Sequence, residues 1–268
     1  MTTFAFFMTL KFDKYQGAGN DFIILNNYDG LFSQLSEQQF RGMCDRNRGI
    51  GADGIILLEP SDIVDFEMKY YNSDGKLSSL CGNGARCVVL YAFKNKIIGK
   101  KAKFNAIDGV HEAWLTSPEK VKIQINEVKK IFNHKDSFVT NTGSPHYVKI
   151  MDNILDLDVK KEGSQIRFSK DFTPDGINVN FLKKRNNSNF SIRTYERGVE
   201  DETLACGTGA VAAAIVMHYI GETSGETNLN IETLGGNLKV DFDFDDSIYK
   251  NIFLEGPANY VFSGIYKT

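Results

Sequence analysis

The sequence predicts an α/β (α+β) fold of two pseudo-symmetric halves, each a curved, mostly antiparallel sheet wrapped around one central helix, with the candidate site in the cleft between them. Three observations carry this. Cys81-Gly82-Asn83-Gly84-Ala85 recurs as Cys206-Gly207-Thr208-Gly209-Ala210, about half the chain length later. The approaches match too, Tyr71-Asn72-Ser73-Asp74-Gly75 before the first copy and Tyr195-Glu196-Arg197-Gly198 before the second. Finally, each copy opens an apolar run of helical length, while the remaining apolar segments are short and bounded by Gly, Asn and Asp.

Strand-like segments are expected at Phe22–Asn26, Gly54–Leu58 and Phe66–Tyr71 in the first half, followed by Lys120–Ile125. In the second they are Tyr147–Ile150, Ile177–Phe181, Ser191–Tyr195, Leu238–Phe244 and Ile252–Glu255. Ser36 is suited to N-cap a helix running through Asp45, and Leu155–Glu162 reads as a polar helix. The runs Arg86–Asn95 and Val211–Ile220 are apolar on most faces, and a helix of that kind is normally buried. A boundary near Asn126 divides the chain almost equally into 1–126 and 127–257, without a Pro- or Ser-rich linker.

At 268 residues, two halves of ordinary size can each bury a core. Hydrophobic content of 42% and charge of 24% are those of a soluble globular protein, and a net charge of -3 gives no footing for nucleic acid or a membrane surface. No apolar stretch approaches the roughly 20 residues that span a bilayer. The Phe-rich opening Met1–Leu10 lacks a basic region and a cleavage site, so it reads as an N-terminal extension with Met8 as an alternative start. Cysteines 44, 81, 87 and 206 include no Cys-x-x-Cys pair, and the four His are scattered, which argues against structural zinc and for reduced thiols in a cytoplasmic protein.

A helix start leaves backbone N–H groups unpaired and carries partial positive charge. A thiol there is expected to have a lowered pKa, and glycines let a ligand approach the N–H groups closely. Two such starts facing each other place two thiols and two sets of N–H donors around one ligand. A carboxylate held between them would have its charge offset while an adjacent carbanion forms. One thiolate can then remove a proton alpha to the carboxylate from one face, and the opposite thiol return one from the other. Either copy alone is weak, since cysteine is often a small core residue; the matched pair is specific. Cys87 lies on another helix face and reads as core, as does Cys44.

Gly17-Ala18-Gly19-Asn20-Asp21-Phe22, Gly49-Ile50-Gly51-Ala52-Asp53, Cys81-Gly82-Asn83-Gly84-Ala85-Arg86-Cys87, Tyr195-Glu196-Arg197-Gly198 and Ala205-Cys206-Gly207-Thr208-Gly209-Ala210 occur in order. Together, from about Lys11 to Tyr266, they resemble the diaminopimelate epimerase family. The resemblance implies interconversion of LL- and meso-diaminopimelate, in lysine and cell-wall precursor supply, without pyridoxal phosphate, metal or other cofactor. It implies that Cys81 and Cys206 are the acid/base thiols and that Gly82, Asn83, Gly207 and Thr208 hold the reacting carboxylate. Asn20, Asn72 and Asn178 match substrate-binding positions, Arg197 would pair with the distal carboxylate, and His146 and Glu196 match positions that influence the thiol pKa values, with Glu196 also at the substrate. A homodimer, and a final strand (about 258–268) returning to the first half, are implied as well. Two positions depart from the pattern. Ser144 stands where the family commonly has Asn before Pro145-His146, and Gly54 where it often has Gln; both positions face the pocket in the family, and neither touches the two-thiol chemistry.

Gly49-Ile50-Gly51-Ala52-Asp53-Gly54 formally fits a dinucleotide-binding pattern, but a helix-like segment precedes it and a strand follows, the reverse of what that site needs. The acidic run Asp241–Asp246 reads as a solvated turn. Rival readings are a cysteine hydrolase with one Cys–His pair, a non-catalytic amino-acid-binding protein, and a proline racemase-like enzyme.

Overall fold

The computed structural model describes residues 9–267; the two candidate starts lie outside them. The described residues form seventeen strands joined into one continuous ladder, with four α-helices. The first half contains β1 (Thr9–Gly17), β2 (Asn20–Asn26), β3 (Gly54–Glu59), β4 (Phe66–Asn72), β5 (Lys101–Ala106), β6 (Gly109–Ser117) and β7 (Lys120–Ile125). The second contains β8 (Ile131–His134), β9 (Ser137–Asn141), β10 (Pro145–Ile150), β11 (Asn178–Lys184), β12 (Asn189–Glu196), β13 (Asp201–Thr203), β14 (Asn228–Thr233), β15 (Gly236–Asp245) and β16 (Ile248–Pro257). The chain ends in β17 (Asn259–Lys267).

Strand pairing displays the repeat. In the first half β2 pairs parallel to β3, β3 antiparallel to β4, β4 parallel to β5, and β5, β6 and β7 follow antiparallel. In the second, β10 pairs parallel to β11, β11 antiparallel to β12, β12 parallel to β14, and β14, β15 and β16 follow antiparallel. The two ladders meet where β7 pairs with β16, Ile123 opposite Leu254 and Ile125 opposite Ile252. At the outer ends β17 lies antiparallel on β1 much as β8 lies on β9.

Each parallel pair needs a crossover, and the helices supply it. In the first half α1 (Glu37–Cys44) precedes β3 and α2 (Gly82–Lys94) precedes β5; in the second α3 (Val159–Arg167) precedes β11 and α4 (Gly207–Tyr219) precedes β14. Ser36 caps α1 in a full capping box with Gln39. The polar helix expected at Leu155–Glu162 instead begins at Val159, because Asp158 accepts from the Lys161 N–H and starts the helix there, and it continues to Arg167. Likewise α2 and α4 begin at Gly82 and Gly207, a turn earlier than Arg86 and Val211, with Cys81 and Cys206 as extended N-cap residues. The glycines are thus part of the first turn. The acidic run at Asp241 is mostly strand β15, where Lys122, Lys250 and Asn251 meet Asp241, Asp245 and Asp243.

One hydrophobic cluster contains both central helices and the inner sheet faces, from Val88 and Leu90 to Ala212, Ile215 and Leu254. Smaller cores lie under α1 (Phe40, Met43, Cys44) and α3 (Val159 against Phe181 and Tyr195). No helix of the described residues is long and apolar enough to cross a membrane.

The two helix starts touch. A methyl on Gly207 would stand 3.6 Å from the Gly82 Cα and 2.8 Å from Leu254 Cδ2. Gly207→Ala is therefore expected to cost about 1–3 kcal/mol by overpacking. Gly99→Ala, with open space around it, should stay within about 0.5 kcal/mol of the parent. Urea denaturation of both variants checks the contrast, and equal stabilities would contradict the close approach.

Candidate active site

The meeting point of α2 and α4 is the floor of a cavity of about 560 Å³. Cys81, Gly82 and Asn83 enter it from one half, Cys206, Gly207 and Thr208 from the other. Around them stand Asn20, Asn72, Asn178, Glu196 and Arg197, so every expected site residue except His146 lines one cavity. His146 is fully buried behind Thr208, its Nε2 2.9 Å from the Thr208 hydroxyl. All four cysteines are unpaired, and Cys44 and Cys87 are core residues.

The thiols are wired differently. Cys81 donates to Asn20 Oδ1 at 3.6 Å. The Asn20 amide is oriented by donating its own N–H to Asp53 at 2.6 Å, and Asp53 and Asp21 are both held by Arg46. On the other side Asn180 donates to His146 Nδ1 at 3.1 Å and to the Tyr147 carbonyl, while its own carbonyl accepts from Thr194. That fixes the neutral tautomer of His146 with its proton on Nε2, facing Thr208. The Thr208 hydroxyl then accepts from His146 and has its hydrogen free for Cys206 Sγ, 3.5 Å away.

The expected lowering of the thiol pKa values is not found. Burial raises both, Cys81 to about 12, and the nearby Glu196 carboxylate raises both further. The N–H groups of Asn83 and Gly84 pull Cys81 down, but desolvation of a thiolate outweighs them. Glu196 is itself pushed up to about 7, by burial first and Asp53 second. Burial holds His146 down at about 3, with Arg197 adding to the effect.

Sequence reasoning missed Arg86 as a site residue. Its side chain is fully buried and donates to the Pro257 carbonyl, the Gly82 carbonyl and Asn83 Oδ1, the last at 2.7 Å. Burial lowers its pKa to about 10, so it remains charged at neutral pH, and no carboxylate pairs with it among the described residues. It also turns the Asn83 amide so that its N–H₂ donates to Ala205 and Asn20. Asp53, Asn180 and Tyr70 were missed as well. Their signal is pairing register and side-chain contact, which a linear motif does not carry.

A family model described as diaminopimelate epimerase matches residues 12–131 and 138–261. The chain belongs to the diaminopimelate epimerase family. It is 48% identical to the diaminopimelate epimerase of Flavobacterium psychrophilum, over 94% of this chain and 98% of that one, and 44% identical to that of Chlorobaculum tepidum, over 92% and 98%. Among solved structures, a Bacillus anthracis phenazine biosynthesis protein of the PhzF family superposes with a TM-score of 0.73, at 15% identity, over 97% of this chain and 99% of that one. A probable proline racemase from Agrobacterium radiobacter superposes with 0.69, at 12% identity, over 95% and 92%. These two share the fold. Membership of the diaminopimelate epimerase family makes this chain an isomerase acting on amino acids.

The buried groups give opposed pH effects. The folded chain excludes a proton from His146 that the unfolded chain binds below about 6.5, so that contribution is present above 6.5 and is lost as pH falls towards 3. Glu196 retains a proton that the unfolded chain releases above about 4.5, so its cost appears as pH rises from 4.5 to 7. Between pH 7 and 5, His146→Gln should therefore gain stability relative to the parent, and Glu196→Gln lose it, by up to about 1.4 kcal/mol per pH unit. Denaturant titrations giving parallel curves for all three proteins would contradict these burials.

Proposed function

We propose that the protein interconverts LL- and meso-diaminopimelate without a cofactor, by a two-base mechanism in which Cys81 and Cys206 act on opposite faces of one alpha carbon. The observation that carries this is the convergence of two N-cap thiols and two unpaired helix starts on one cavity, beside a buried guanidinium lacking a carboxylate. Such a floor favours an anion, and an amino acid's carboxylate supplies one.

In this reading the reacting carboxylate meets the N–H groups of Gly82, Asn83, Gly207 and Thr208. The alpha carbon lies between the sulfurs. Since burial keeps both thiols protonated, one must first lose its proton. Glu196, at about 7, is the group on hand to take it. The thiolate removes the alpha proton as an S–H bond forms, and the C–H electron pair passes into the carboxylate as an enediolate. The opposite thiol then gives its proton to the other face and becomes the thiolate. One proton is taken, one is returned, and the stereocentre is inverted.

Asn72, Asn178 and Arg197 hold the remote end. Asn178 Oδ1 accepts from the Arg197 backbone N–H at 2.8 Å, and one Arg197 guanidinium N–H donates to the Asp175 carbonyl, so the fork is pre-oriented for a carboxylate. Ser144 lines the same cavity. A role in lysine and peptidoglycan precursor supply follows from this substrate.

Incubation with LL-diaminopimelate in D2O, under reducing conditions, should replace the alpha proton by deuterium and yield the meso isomer without added cofactor. No exchange with diaminopimelate, but exchange with proline, would overturn the substrate assignment. Cys81→Ser and Cys206→Ser should each lower kcat by at least about a hundredfold, because serine is a far weaker acid. Full epimerisation by either would sink the two-base reading. The profile of kcat/KM should show an acid limb near pH 7 that vanishes in Glu196→Gln; a limb unchanged in that variant would assign the proton elsewhere.

A further inference from the structure

Pairing register sets each residue of one half against a counterpart in the other. Phe22 pairs with Gly54 as His146 pairs with Asn178, and Ile56 pairs with Tyr70 as Asn180 pairs with Thr194. Gly54 is thus the counterpart of Asn178, and Tyr70 that of Thr194. Asn178 brings an amide into the cavity, and Thr194 is buried and donates to Asn180; on the other side Gly54 brings no side chain, and the large Tyr70 lines the cavity.

The two differences are linked in space. A Cβ on Gly54 would stand 2.5 Å from Tyr70 Cε2 and 3.0 Å from the Tyr70 hydroxyl, so the phenol fills the volume that a side chain from β3 would take. Tyr70 lines the cavity together with Asn72, Cys81 and Glu196. Burial pushes its hydroxyl further above the usual phenol range, and no hydrogen bond to that hydroxyl is found among the described residues. A ring covering a strand glycine would be reason enough for an aromatic residue here, but phenylalanine would serve equally. The hydroxyl needs another explanation.

We infer that Tyr70 is a substrate-specificity residue, its phenolic hydroxyl hydrogen-bonding the end of the bound diamino diacid remote from the reacting carbon. This rests on the substrate proposed above. The reacting carboxylate is already met by the two helix starts. Tyr70 lies two residues before Asn72 on β4, so both project from the same face of the strand. The contact replaces, with a donor from β4, the amide that β11 contributes on the other side of the cleft.

The test is Tyr70→Phe, which keeps the ring over Gly54 and removes only the oxygen. With LL-diaminopimelate, KM should rise on the order of tenfold while kcat stays within about twofold, the pattern of a lost uniform binding contact. The melting midpoint should stay within about 2 °C, since packing is retained. If the parent turns over diaminopimelate and KM in Tyr70→Phe is unchanged, the hydroxyl binds nothing and the inference is overturned by itself. A fall in kcat with unchanged KM would equally overturn it, moving the effect to Cys81. Failure of the parent to bind or turn over diaminopimelate would overturn the substrate assignment, and the remote-end contact with it.

Discussion

Everything in the site depends on a concentration of buried positive charge that the protein does not neutralise. Two helices point their N-termini at one spot, with Gly82 and Gly207 facing each other and Leu254 packed so near that a Cβ on either would press on its methyl. Each start carries the equivalent of roughly half a positive charge. Arg86, fully buried, adds a guanidinium whose three partners are two carbonyls and an amide oxygen. In a protein interior such an arrangement is unfavourable on its own, and an anion relieves it. The fold thereby stores a preference for a carboxylate at one point, where the electron pair of a departing alpha proton must go.

The sheet is what makes the two helix starts meet. Parallel pairs β2–β3, β4–β5, β10–β11 and β12–β14 each demand a crossover, and the second crossover of each half is a buried helix. The seam between β7 and β16 joins counterpart strands, so the two halves close around their own repeat. Leu254 on β16 packs against both glycines and sets how near the helices come. A small change there would move the thiols relative to each other.

The same burial governs the acid–base properties. It raises both thiols, raises Glu196 to about 7 and keeps His146 neutral. The neighbours then distinguish groups that burial treats alike. Asn20, fixed by Asp53, accepts from Cys81, whereas Thr208, fixed by the His146–Asn180 pair, has a hydrogen free for Cys206. The halves are symmetric in backbone and asymmetric in hydrogen bonding. An enzyme that removes a proton from one face and adds one to the other has use for that difference.

The sequence by itself determined the doubled motif, the glycines that permit close approach, the thiol at each helix start and the alternation of short strands around two apolar helices. Those features are local: periodicity, capping and turn chemistry are written in adjacent residues, and the repeat doubles their signal. The glycines sit in the first helical turn although Gly lowers helix propensity, because tertiary packing overrides that local preference. Only the tertiary structure decided the sign of the thiol pKa shifts, since helix-end stabilisation is local but desolvation depends on everything packed around the sulfur. It alone brought Arg86 under the cavity, put Asn180 behind His146 and set Tyr70 over Gly54. Those contacts join residues on different strands and helices, and their meaning lies in pairing register and burial, which no linear pattern encodes.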